Sequence, residues 1–77
     1  MRDFKSQGLA LRELRKENKL TILEVTNKLN HCPMWLSDIE TGKKNIYFKD
    51  AKELCKLYGC SLNDFSKLID KYESKEN

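Results

Sequence analysis

Residues Leu20 to Gly42, LTILEVTNKLNHCPMWLSDIETG, decide the fold. Thr21 is suited to cap a helix N-terminus, and Glu24 follows three positions later, the spacing of a capping box. Ile22, Val25, Thr26 and Leu29 then recur at helical intervals. Asn30 and His31 break the pattern. Pro33 can open a second helix, because its missing N–H would find no partner there anyway. Leu36 and Ile39 give that helix an inward face, and Gly42 supplies its C-terminal cap. The stretch predicts two helices of about eight residues crossing through a turn of three or four, a helix-turn-helix.

Outward from this stretch the periodicity stays helical. A first helix is expected from about Ser6 to Asn18, with Leu11 and Leu14 inward, and the central pair from Thr21 to Leu29 and from Pro33 to Thr41. A fourth, Phe48 to Tyr58, should bury Phe48, Ala51, Leu54, Cys55 and Tyr58 and end at Gly59. Ser61 with Asp64 repeats the capping-box pattern and opens a fifth, with Leu62, Phe65, Leu68, Ile69 and Tyr72 on one stripe. One valine and few alternating stretches argue against strands. The expected fold is all-α: one compact five-helix domain over residues 1–77, with a polar tail fraying over 73–77.

Composition narrows the function. With 35% charged residues, no run is apolar enough to cross a membrane, and the charged opening Met1-Arg2-Asp3 leads to the expectation of no signal peptide. Three cysteines, an odd number without Cys-x-x-Cys spacing, are expected to be free thiols in a reducing cytoplasm. His31, Cys32, Cys55 and Cys60 match no zinc signature, so no metal or cofactor is expected. His31 beside Cys32 offers no third orienting group, and the chain is not expected to be an enzyme. The net charge of +3 permits nucleic-acid binding without requiring it.

From Leu9 to Phe65 the chain resembles the phage-repressor and Cro type of regulator, the Xre family. The resemblance is carried by Leu11-Arg12-Glu13-Leu14-Arg15, the helix-turn-helix from Thr21 to Ile39, Glu40-Thr41-Gly42-Lys43, and Leu57-Tyr58-Gly59-Cys60-Ser61-Leu62. It implies a lambda-repressor-like fold, a salt bridge between Arg15 and Glu40, and a third helix lying in the major groove of double-stranded DNA. The family's base-reading positions map onto Pro33, Met34 and Asp38, with Trp35 and Ser37 beside them. Met34, Trp35, Ser37 and Asp38 are therefore the expected base-facing residues. None is the Arg, Gln or Asn that reads a purine edge bidentately. Ile22 stands where the family favours a polar residue to hold a phosphate, Thr26 replaces a small alanine, and Asn30 replaces the turn glycine.

Lys28, Lys43, Lys44 and Asn45 flank the third helix and are expected to contact backbone phosphates, which position a protein without reading sequence. Trp35 has three possible uses: packing into the turn, touching DNA, or anchoring a protein partner. The stripe Phe65, Leu68, Ile69, Tyr72 exceeds what a small core needs, and a two-fold homodimer interface is expected there. Packing of the same stripe on the first helix is the competing arrangement. The expected function is a small cytoplasmic DNA-binding transcriptional regulator. The alternative is an interaction module, such as an anti-repressor, that keeps the fold with weakened DNA readout.

Overall fold

A computed structural model describes residues 4–75. Five helices follow one another: α1 (Lys5–Glu17), α2 (Ile22–Leu29), α3 (Pro33–Glu40), α4 (Phe48–Tyr58) and α5 (Leu62–Lys75). No strand occurs among the described residues. The expected tail begins inside α5, which stays helical to Lys75, and residues 76–77 lie outside the described residues.

Local chemistry sets most of the boundaries. At Thr21 the hydroxyl accepts from the Glu24 N–H at 3.1 Å, and the Glu24 carboxylate accepts from the Thr21 N–H at 2.9 Å. Ser61 and Asp64 make the same reciprocal pair at 3.0 and 3.1 Å. Asn30 ends α2 in the left-handed conformation, φ 60°, which asparagine tolerates better than most residues. Gly59 does so for α4, where the Cys60 N–H reaches back to the Cys55 carbonyl at 3.0 Å in a Schellman-type closure. Lys19, also left-handed at φ 56°, carries no such signal in its side chain. Its turn is held instead by Asn18, whose amide donates to the carbonyls of Leu14 and Tyr58.

The core gathers Ala10, Leu11 and Leu14 from α1, Val25 from α2, and Leu36 and Ile39 from α3. Ala51, Leu54, Cys55 and Tyr58 from α4 and Phe65 from α5 complete it, with Ile46 from the connecting loop. Each fully buried Leu or Ile contributes about 1.5–3 kcal/mol of transfer free energy. Thr26 is fully buried among them, yet its hydroxyl donates to the Ile22 carbonyl at 2.9 Å, so a polar atom enters the core already satisfied. Burial pushes the Cys55 thiol up to about 12, keeping it protonated and inert.

Two expectations change. Phe48 is 69% exposed rather than buried. It continues the Ala51–Leu54–Cys55–Tyr58 stripe in sequence, but as the first residue of α4 it projects past the edge of the core, where Lys52 Nζ stands 5.7 Å from its ring. The α5 stripe lies along α1, the competing arrangement for those residues. Phe65 is buried within its own chain, while Leu68, Ile69 and Tyr72 pack against the core and keep only part of their surface. The Tyr72 hydroxyl donates to Glu13 of α1, and Lys71 Nζ lies 3.4 Å from the same carboxylate.

Candidate nucleic-acid interface

What surrounds α3 follows from how it is held. Gly8 allows α1 to cross the C-terminal end of α3 at backbone contact: a Cβ there would meet the carbonyl oxygens of Ile39 and Glu40, the latter at 2.6 Å. Two turns further along α1, Arg15 Nε and Nη2 donate to the two Glu40 carboxylate oxygens at 2.8 and 3.0 Å, and Nη1 donates to the Leu20 carbonyl at 2.9 Å. The Glu40 side chain is 4% exposed, so the carboxylate is neutralised where water scarcely reaches. Its hydrogen bond raises the Arg15 pKa above the ordinary value, leaving the guanidinium permanently charged. α3 is thus clamped to α1 at one end.

Its other end is set by the turn. Cys32 is the extended N-cap residue, Pro33 follows in the first turn, and the His31 N–H donates to the Thr26 carbonyl at 3.0 Å. The His31 ring stacks on Trp35 at 3.6 Å between centroids, and His31 Nε2 lies 3.7 Å from Asp50 Oδ1 on α4. Trp35 is therefore engaged in packing the turn. It stays partly exposed beside the outer face of α3.

At about 100° per residue, Leu36, Ile39 and Glu40 define the inward side of α3. Met34, Asp38 and Thr41 fall within about 60° of one another on the far side, with Ser37 on one flank and Trp35 on the other. Met34 is 63% exposed and Thr41 is exposed, whereas Asp38 is partly covered by the segment that follows the helix. The N–H groups of Lys43 and Lys44 donate to the Asp38 carbonyl at 2.8 and 3.3 Å, and Lys44 Nζ approaches the Asp38 carboxylate at 3.8 Å. Thr41, absent from the expected base-facing set, donates its hydroxyl to the Ser37 carbonyl at 2.8 Å.

The expected phosphate-contacting residues do not form one cluster. Lys43 and Lys44 are exposed just beyond the C-terminal end of α3. Asn45 is exposed beside them, but its side-chain oxygen accepts from Gln7 Nε2 at 2.9 Å. Lys28 lies apart, in a shallow cleft against Glu53, Lys56 and Leu57 of α4. Among the described residues no group of three His, Cys, Asp or Glu side chains is placed to hold a metal. Nor is any helix long and apolar enough to cross a membrane.

The family model for the helix-turn-helix matches residues 11–65, the span that runs from the Arg15 clamp to the buried Phe65. This chain belongs to the Xre/Cro-type helix-turn-helix family. Two solved structures of the clp gene regulator ClgR from Corynebacterium glutamicum share its fold. One superposes with a TM-score of 0.90 at 23% identity, covering 95% of this chain and 78% of ClgR. The second gives 0.84 at 25% identity, covering 90% of each. A search of curated proteins finds no match. Within the family frame, this helix-turn-helix protein departs in the surface of α3, which carries no Arg, Lys, Gln or Asn.

Proposed function

We propose that this protein is a DNA-binding transcription regulator, with α3 entering the major groove. The family membership supports this reading, as does the likeness to ClgR, itself a gene regulator. The observation that carries it is the outer face of α3. That face is clamped at both ends by other elements yet covered by none along Met34 and Thr41, and it is followed at once by exposed Lys43 and Lys44. In this reading Met34, Asp38 and Thr41 face base edges, with Ser37 and Trp35 on the two flanks of that face. Met34 is suited to a thymine methyl, and Asp38 to accepting from cytosine N4. Lys43, Lys44 and Asn45 hold phosphates, with Lys28 as an outlying contact. The protein performs no catalysis, uses no cofactor and acts in the cytoplasm. It binds as a homodimer on two half-sites, through the uncovered parts of Leu68 and Ile69.

Binding to mixed-sequence duplex DNA across a salt series tests this. Affinity should fall steeply with salt, and Lys43→Ala with Lys44→Ala should lower the log–log slope by about one unit each. Asp38→Asn should raise general affinity several-fold, since it removes a charge that repels phosphate and frees Lys44. Sedimentation at roughly ten micromolar should show a dimer that Ile69→Glu dissociates. One observation favours the second reading, an interaction module with weakened DNA readout: the exposed face of α3 is apolar and acidic rather than basic. Duplex affinity independent of salt would decide for it.

A further inference from the structure

A cleft of about 230 Å³ opens beside α3, lined by Arg12 and Arg15 of α1, Ile22 of α2, and Ser37, Glu40 and Thr41 of α3. Its charges do not cancel. Glu40 is consumed by Arg15, which spends its Nε, Nη1 and Nη2 on Glu40 and the Leu20 carbonyl. Arg12 is exposed and, among the described residues, makes no hydrogen bond or ion pair. It also borders the groove between α1 and α5 that holds Glu13 and Glu17. It pairs with neither, and Glu13 is already engaged by Tyr72 and Lys71. The cleft therefore presents one uncommitted guanidinium and the Ser37 hydroxyl, the Thr41 hydroxyl proton being committed to the Ser37 carbonyl, with the positive end of the α2 dipole at its wall. Such a set recognises a tetrahedral oxyanion.

We propose that Arg12, with Ser37, holds a DNA-backbone phosphate in this cleft. The inference rests on the DNA-binding reading above and deepens it. Ser37 and Asp38 are about 100° apart around α3, so Arg12 and the Asp38-associated Lys44 stand on different flanks of the helix. A helix lying in the major groove meets one sugar–phosphate backbone on each flank, and a basic group on each is what that geometry requires. The apolar Ile22 leaves α2 no side chain to contribute, and the reach from α1 replaces it.

Duplex binding of wild type, Arg12→Ala and the Lys43→Ala/Lys44→Ala double variant, over about 50 to 200 mM salt, separates the outcomes. Arg12 has no partner among the described residues, so Arg12→Ala should keep the wild-type thermal midpoint. It should bind several-fold more weakly on every sequence, with a log–log slope smaller by about one unit. A wild-type slope in Arg12→Ala, with a reduced slope in the lysine variant, would overturn this site and leave the DNA reading standing. Absence of salt-sensitive binding by the wild type would overturn both. Inorganic phosphate alone is the remaining arm. If it raises the thermal midpoint of the wild type but not of Arg12→Ala, and the duplex slopes are equal, the cleft belongs to a free phosphate and the backbone assignment falls.

Discussion

Arg15 and Glu40, twenty-five residues apart, meet through two hydrogen bonds of 2.8 and 3.0 Å in a site where the carboxylate is 4% exposed. This pair joins the last turn of α1 to the last turn of α3, so the orientation of α3 depends on it. Removing the guanidinium strands a buried charge, which costs about 3–5 kcal/mol. Arg15→Ala should show that loss in urea unfolding. Arg15→Lys should recover only part of it, because an ammonium cannot reproduce the two-pronged contact. A loss below about 1 kcal/mol, the range of exposed pairs, would show that the clamp is not structural.

Gly8 reverses an ordinary expectation. In an open helix interior, glycine to alanine gains about 1 kcal/mol. Here the added methyl would strike the carbonyl oxygens of Ile39 and Glu40, which are backbone atoms and cannot rotate away. Gly8→Ala should destabilise by about 1–3 kcal/mol, as overpacking does. Because α1 and α3 would have to separate, duplex affinity should fall as well. A stabilised variant in thermal unfolding would refute the close crossing.

Tyr58 is buried, and its hydroxyl finds no hydrogen-bond partner among the described residues. Burial, with the Glu40 charge nearby, raises its pKa well above the ordinary value of 10. An unpaired buried hydroxyl costs about 1–3 kcal/mol of desolvation. Tyr58→Phe should therefore be neutral or stabilising, a direction unusual for a core residue. Calorimetry of the two proteins compares them directly.

Acid sensitivity follows from the two capping boxes. The Thr21 backbone and hydroxyl bonds hold Glu24 below its ordinary 4.5, and those of Ser61 hold Asp64 below its ordinary 3.8. The folded protein thus takes up these protons less readily than the unfolded chain. The stability so gained is complete above the ordinary values and is lost as pH falls through the lower folded values. Glu24→Gln with Asp64→Asn should flatten the acid limb of the stability–pH curve by lowering stability in the neutral region, with the two proteins converging at acid pH, where the wild-type carboxyls are protonated.

The elements of this fold were legible in the sequence because their signals are local. Capping boxes at Thr21 and Ser61, the turn at Asn30, Pro33 and Gly59 each act within a few residues, and the structure places the helix ends beside them. The family motif added the one long-range pair, Arg15 with Glu40. What only the tertiary structure decided is which faces remain free once the helices pack. Phe48 and Phe65 carry the same hydropathy, yet one projects past the core and the other fills it. That His31 stacks on the Trp35 ring, and that α1 lies along the α5 stripe, also came only with the packing. Gly8 gave a visible hint as a glycine inside a helix, but the α3 carbonyls it accommodates lie more than thirty residues away. Periodicity reports that a side chain is apolar or that a helix begins. Only the packing of distant helices fixes which apolar surface is buried and which charge, like that of Arg12, is left uncommitted.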